Sequence, residues 1–423
     1  MNTKNPKFKI VTLGCRTNQY ESQAYADQLK SMGYTAADDS EPADLCIVNT
    51  CTVTDSADHQ SRYEIRQLAR QHPGARLVVT GCAAERKPDE IKALAGVTDI
   101  VANADKEFLM AALFPEEQVP EFAINFFDAH TRAFVKVQDG CNSFCTYCII
   151  PYVRGRSRSR TVAEVVAEVE RLVANGYREV VLTGINIGDF DGAGEKATLA
   201  DLVRSVDQVE GLERLRVSSI DPDEVSEDLL DAIVNGRNTC HSMHIVLQAG
   251  SNVTLKRMNR KYTRQVFMET VDRLKAAAAD FTFTTDVIVG FPGETDADFN
   301  DTIDVIRDVK FAKVHMFPYS ERARTRAALM PNKVPGEVIR RRKQELLRLA
   351  EQVAYELHGQ FVGQQMTILT ESSDSSHPGY ICGHTDNFLK VWIPDDGIGS
   401  NQLVEVILEE NTPTGLKGRK VCR

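Results

Sequence analysis

Three cysteines stand in the stretch CNSFCTYC, residues 141–148, at the spacing C-x3-C-x2-C. Clustered thiolates hold zinc or an iron–sulfur cluster, and either site usually takes four protein ligands. No fourth cysteine is near: Cys82 is the closest before the stretch and Cys240 the closest after it. Zinc knuckles come as two C-x2-C pairs, which are missing here. A cubane cluster can leave one iron open to another ligand, which makes the incomplete set meaningful. A zinc knuckle or a buried thiol cluster remains the alternative on the residues alone.

A second set emerges from topology. KFKIVTLG (7–14), LCIVNT (45–50) and RLVVTG (76–81) read as buried strands, each followed at once by a cysteine: Cys15, Cys51 and Cys82. The intervals between them approximate one βαβ unit. Parallel strands bring their C-terminal ends to one edge of a sheet, where ligands bind in open α/β folds. Three cysteines remote in the chain are therefore expected to converge. A helical pattern, ESQAYADQLKSMG, follows the first strand and stops at Gly33.

The elements around these cysteines are those of a large globular chain. Its 423 residues are 42% hydrophobic and 26% charged, and at about 150 residues per domain they divide into two to four domains. No run of roughly 18 apolar residues appears, so no membrane span is expected. No signal-peptide pattern opens the chain, and the cytoplasm is the expected location. The net charge of −10 argues against indiscriminate nucleic-acid binding but leaves room for a local basic patch.

From about residue 132 the alternation of strands and helices restarts. Strand-like runs are RAFVKVQ, EVVLTGIN, RLRVSSID, MHIVLQ, FTFTTDVIVGF and KVHMFPYS. Six βα units predict an incomplete barrel, with CNSFCTYC on its functional C-terminal face. Between the first two runs a helix is expected from the Thr161 N-cap to the Gly176 stop. A charged helix closes this unit near Gly359. The last stretch, with QMTILT, FLKVWIP and QLVEVILEE between turn residues, reads as a small all-β barrel.

The three cysteines with Tyr147 before the last match the signature of the radical S-adenosylmethionine (SAM) enzymes. By that resemblance a 4Fe–4S cluster sits on Cys141, Cys145 and Cys148, and SAM fills its open iron. Further SAM contacts are expected from Tyr147 and from the strand ends: Thr183, Gly184 and Asn186; Ser218, Ser219 and Asp221; Gln248; and Gly290, Phe291 and Pro292. No catalytic residue beyond the cluster ligands is assigned.

Basic residues are local. RGRSRSR (154–160) carries Arg154, Arg156, Arg158 and Arg160 directly after the cluster loop, and these are the expected RNA contacts. RRRK (340–343) is expected to be a solvated face, and ERARTR (321–326) follows the sixth strand. Cys46 is read as a small core residue. Cys240, Cys382 and Cys422 have no partner spacing. His244 and His315 are read as core or hydrogen-bonding residues.

Over nearly its whole length the sequence resembles the radical SAM methylthiotransferases, through TLGCRTNQYES, VNTCTVT, VVTGCAAE, CNSFCTYCIIPYVRGRSRSR, HIVLQAGSNVTLKRMNRKYT, TTDVIVGFPGET and HMFPYSER. The resemblance implies three domains: 1–126 binding an auxiliary 4Fe–4S cluster through Cys15, Cys51 and Cys82, 127–360 as the radical SAM core, and 361–423 as a TRAM domain that binds RNA. TLGCRTNQYES resembles the branch acting on N6-threonylcarbamoyladenosine next to the anticodon, tRNA position 37. The isopentenyladenosine branch and the ribosomal-protein branch carry other residues around the first cysteine. Two positions depart from the family pattern: Ala249 replaces a serine, and Arg324 replaces a glycine whose turn, if it needs positive φ, is strained by the change.

The implied chemistry is radical because carbon 2 of adenine bears a strong, non-acidic C–H bond that a general base cannot usefully deprotonate. In the family scheme one SAM methylates a sulfur at the auxiliary cluster, and a second is cleaved to the radical that activates carbon 2. A flavodoxin- or ferredoxin-type reductant is the implied electron source. A non-catalytic iron–sulfur protein binding single-stranded RNA loops is the reading from another class, and it predicts no SAM turnover.

Overall fold

The computed structural model describes residues 5–39, 41–127, 130–373 and 377–421; Cys422 lies outside the described residues. The N-terminal strands Lys7–Thr12, Thr35–Ala36, Leu45–Thr50, Arg76–Gly81 and Val97–Ile100 form one parallel sheet, with Thr35–Ala36 at the edge beside the first strand. Leu45–Thr50 is buried at every position, as a parallel strand covered on both faces must be. The first helix runs Arg16–Ser31, starting earlier than its apolar pattern predicts. Cys15 is its N-cap and makes no side-chain capping bond there, so the cap position holds a sulfur in place of the usual hydroxyl or carboxylate.

That helix joins two cores. Tyr25 and Leu29 pack with the N-terminal sheet, while Tyr20 and Ala24 belong to the core of the following barrel. Its polar residues Asn18, Glu21, Gln23 and Gln28 are buried as well, and each has a side-chain hydrogen bond within the N-terminal residues. Glu21 also accepts from Arg154 of the barrel.

The six expected strands are present as Arg132–Lys136, Glu179–Thr183, Arg214–Val217, Ser242–His244, Thr282–Val289 and Lys313–Pro318. They pair in chain order as two parallel three-stranded sheets, joined by the Leu215–Thr239 and Ile220–Ile245 bridges. Among the described residues the first and last strands are unpaired with each other, so the barrel is partial. The helix Arg16–Ser31 packs on the open-edge strand Arg132–Lys136. In Thr282–Val289, Phe283, Val287 and Val289 are buried in the core while Thr284, Asp286 and Ile288 are half-buried, the period of two that separates a strand's faces. The helix Val162–Ala174 has the Thr161 N-cap in a full capping box with Glu164.

After the helix Gly336–Gly359, five strands from Gln365 to Lys420 close into a small barrel, consistent with a TRAM domain. Its tight turn at residues 384–388 covers the strand starts of the larger barrel. Arg214 Nη1 donates to the His384 carbonyl at 2.7 Å and Arg216 Nη2 to that of Thr385 at 2.7 Å. Phe388, at φ 67°, lies 5.1 Å from the guanidinium carbons of both Arg132 and Arg216. The cysteine loop sits at the opposite end. Among the described residues no helix is long and apolar enough to cross a membrane.

Candidate active site

The loop with Cys141, Cys145 and Cys148 is held from three directions. Cys141 N–H donates to Gly155 O at 3.2 Å, Thr146 N–H to Met258 O at 2.9 Å, and Ala327 N–H to Thr146 O at 2.9 Å. Gly140, at φ 72°, admits no side chain: a Cβ there would stand 2.0 Å from Arg156 O. Donors aim at the sulfurs, with Ser143 N–H 3.4 Å from Cys141 Sγ and Arg260 Nη1 3.0 Å from Cys145 Sγ. Burial pushes the Cys148 thiol up to about 12 and raises that of Cys141, so binding a metal here releases protons. Among the described residues no three His, Cys, Asp or Glu side chains are gathered around a single-ion site; the mutual influence of the three thiols nevertheless places them as neighbours.

Around the loop the strand ends form a polar rim. Ser143 Oγ, Ser218 Oγ and Gln248 Oε1 are buried with no hydrogen-bond partner, an arrangement suited to a polar ligand, since such atoms are costly to leave unpaired. Gln138 Oε1 accepts from the N–H groups of Ile185 and Asn186 at 2.9 Å each, and Gly184 lies against it. Thr183 is buried in its strand, and Ser219 is half-buried. Tyr147 packs with Phe291 at a ring distance of 6.4 Å. Gly290 is a glycine because Ile339 of the helix Gly336–Gly359 lies 2.5 Å from where its Cβ would be. Pro292 follows at the same rim.

Arg260 and Glu224 belong to this rim and were not singled out in the sequence. Arg260 bridges Cys145 Sγ and Asp221. Its only signal was its place in the MNRKYT segment. Glu224 accepts from Asn186 Nδ2 at 3.0 Å, and burial, then the charge of Asp221, pushes its carboxyl up to about 7. The folded state thus holds this proton up to about pH 7 while an unfolded chain releases it near pH 4.3. Stability should fall as pH rises across that window. Glu224→Gln should flatten this decline, read as thermal midpoints from pH 5 to 8; an unchanged slope would remove Glu224 as its source.

Cys15, Cys51 and Cys82 meet at the C-terminal edge of the N-terminal sheet. Gly14, at φ 93°, sits so close to Cys51 that a Cβ would lie 2.8 Å from its sulfur. Asn18 Oδ1 stands 3.7 Å from Cys15 Sγ, and Asn103 Nδ2 3.7 Å from Cys82 Sγ. Burial pushes the Cys51 thiol up to about 12, with Cys82 and Cys15 adding to the rise. Cys82 packs on Ile149, which directly follows Cys148, and on Val153 of the short helix after it.

The arginine run is corrected. Arg154 is buried at the joint between the N-terminal domain and the barrel: Nη1 donates to Glu21 Oε1 at 3.0 Å and Asp139 Oδ1 at 2.8 Å. Lys106 stands 2.7 Å from Glu21 Oε1 in the same network. Arg160 pairs with Glu168 at 2.5 Å. Arg154 caps the short helix Ile150–Val153 and is buried, and Arg160 is half-buried, whereas Arg156 and Arg158 between them are exposed. RRRK is likewise divided, because Arg342 is buried against Glu294 at 2.7 Å.

Ala249 stands in an apolar cluster with Leu255, Met258, Tyr262 and Phe291. Arg324 does adopt φ 75°, so this turn carries the strain that a glycine would avoid. Cys46 is a core residue. His244 and His315 lie 5.8 Å apart, with His244 Nδ1 2.9 Å from Thr284 Oγ1.

Residues 7–103 match the family described as uncharacterized protein family UPF0004, and residues 135–306 match the radical SAM superfamily. The chain is 49% identical, over 98% of both chains, to "Threonylcarbamoyladenosine tRNA methylthiotransferase MtaB" of Chlamydia pneumoniae. It is 37% identical to the Bacillus subtilis protein of that name, over 94% of this chain and 92% of the other. A "tRNA-2-methylthio-N(6)-dimethylallyladenosine synthase" of Finegoldia magna is 33% identical over 98% of this chain and 95% of that one. In fold it is similar to the radical SAM methyltransferase TsrM of Kitasatospora setae solved with cobalamin and a [4Fe-4S] cluster, with TM-score 0.57, 14% identity and 77% of each chain covered. The superfamily implies SAM and a 4Fe–4S cluster, and the paired domains with full-length relatives identify the chain as a radical SAM enzyme of the methylthiotransferase family.

Proposed function

We propose that this enzyme inserts a methylthio group at carbon 2 of N6-threonylcarbamoyladenosine in tRNA, at position 37 next to the anticodon. The observation that carries the reading is the packing of Cys82 on Ile149 and Val153, which sets a cysteine of the second triad against the short segment after the radical SAM loop. In this reading Cys141, Cys145 and Cys148 hold the SAM-binding cluster, and Cys15, Cys51 and Cys82 hold a second 4Fe–4S cluster. When bound, SAM and these clusters supply one-electron cleavage and the sulfur-bearing group. The chain's own residues hold the loop and orient SAM: Arg260 and Ser143 donate to the sulfurs, and Tyr147, Ser218 and Gln248 line the rim. The units 1–126, 127–360 and 361–423 divide the work into sulfur handling, radical chemistry and RNA binding. A flavodoxin- or ferredoxin-type protein in the cytoplasm would deliver the electron.

Mass spectrometry of tRNA nucleosides tests this directly. Cells lacking the protein should lose 2-methylthio-N6-threonylcarbamoyladenosine and accumulate its unthiolated precursor. Loss of the methylthio-isopentenyl nucleoside, or of a ribosomal-protein modification, would reassign the substrate.

RNA contact is assigned to the small barrel and to Arg156 and Arg158. Replacing both arginines by glutamine should lower the slope of log affinity against log salt by up to about 2, since each phosphate contact contributes about one ion. Filter binding at several salt concentrations reads it, and an unchanged slope would remove both from the RNA interface.

A further inference from the structure

The barrel lumen contains a cation that the proposed reaction does not use. Arg16 follows Cys15 directly, and its guanidinium lies 5.2 Å from the Phe134 ring inside the barrel. It shares a cavity with Arg132, Arg216, Ser242, His244 and Thr284. The side chain is accessible to solvent although protein surrounds it, as expected for a group standing in an open lumen. Its neighbours are committed elsewhere: Arg132 to Glu371 at 3.2 Å and Arg216 to Glu179 at 2.6 Å. Asp286 lies 3.4 Å from the His244 ring. Arg16 itself, among the described residues, has neither a hydrogen bond nor an ion pair. This guanidinium fork is held in a concave, water-accessible site, stacked on an aromatic face, with the charges of Asp286 and Glu179 near but not hydrogen-bonded to it. It matches a carboxylate in shape and charge.

We propose that Arg16 is a specificity-determining residue that binds the free carboxylate of the substrate's threonylcarbamoyl group inside the lumen. This rests on the substrate reading given above. Carbon 2 and N6 of adenine lie on the same edge of the base, on either side of N1. A base that presents carbon 2 beside Cys15 therefore directs its N6 substituent past that residue, into the lumen where Arg16 stands. An isopentenyl group, uncharged and apolar, has nothing to offer this cation and would leave it desolvated without a partner. Discrimination follows from a polar group that the wrong substrate cannot satisfy.

The test uses reconstituted full-length protein and three anticodon stem-loops. One carries N6-threonylcarbamoyladenosine, one the same group lacking only its carboxyl, and one isopentenyladenosine. Wild-type kcat/KM for methylthiolation should favour the carboxyl-bearing RNA over its carboxyl-free analogue by about 10- to 100-fold, the range of a charge-assisted hydrogen bond. Arg16→Met should bring that ratio close to one, and Arg16→Lys should retain part of it. Equal wild-type turnover of the two carbamoyl RNAs overturns the proposal, as does an Arg16→Met ratio equal to wild type. If Arg16→Met fails to hold iron, the wild-type ratio and Arg16→Lys still decide. Turnover of the isopentenyl RNA alone would instead overturn the substrate reading, and this proposal with it.

Discussion

Alanine at Cys145 is expected to abolish 5′-deoxyadenosine formation and methylthiolation together, whereas alanine at Cys51 should abolish only the second. The two triads have separate supports. Cys145 lies in a loop fixed by Thr146, Met258 and Ala327, and Arg260 donates to its sulfur. Cys51 directly follows a fully buried strand of the N-terminal sheet and meets Gly14 and Cys82. Removing it leaves the barrel rim untouched. Iron should fall from about eight to about four per chain in either variant if each triad holds one 4Fe–4S cluster. Circular dichroism must match wild type for the comparison to count. Normal methylthiolation by a well-folded Cys51→Ala protein would sink the assignment, and so would continued SAM cleavage by Cys145→Ala.

Arg154→Met should destabilise the protein by about 3–5 kcal/mol, because removing one partner from a buried ionic network strands the charges left behind. Arg154 is 3% exposed and holds Glu21 and Asp139, which come from different domains. Burial alone would raise the Glu21 carboxyl, yet Arg154, then Lys106 and Lys136, bring it down to about 2. A depressed carboxylate contributes stability that is full above the unfolded value near 4.3 and lost as pH falls towards 2. Wild type should therefore lose stability steeply in that acid window, and Arg154→Met should lose less of it. Lysine should not restore the wild-type value, since one ammonium cannot reproduce the two-pronged geometry. Chemical denaturation across pH 3–7 measures both effects. A loss under 1 kcal/mol for Arg154→Met would mean the lysines already neutralise the site.

The elements were legible in the residues. Each expected strand, from Lys7–Thr12 to Lys313–Pro318, was a short β-rich run, and the βα alternation carried the parallel topology with it. The cysteine loop was readable because its spacing is local, and Cys15, Cys51 and Cys82 because each directly follows a strand. Local patterns could not say which way a side chain turns once two domains meet. RGRSRSR read as one basic surface, yet the joint draws Arg154 and Arg160 to the buried carboxylates of Glu21, Asp139 and Glu168. Arg260 and Glu224 carried no spacing signal, since their partners Cys145, Asp221 and Asn186 are remote in the chain. Arg16 precedes the helical pattern ESQAYADQLKSMG and carries no signal of its own in the residues. Only the packing of its helix on the open-edge strand Arg132–Lys136 places its charge in the lumen, because burial and pairing depend on contacts that span the whole chain.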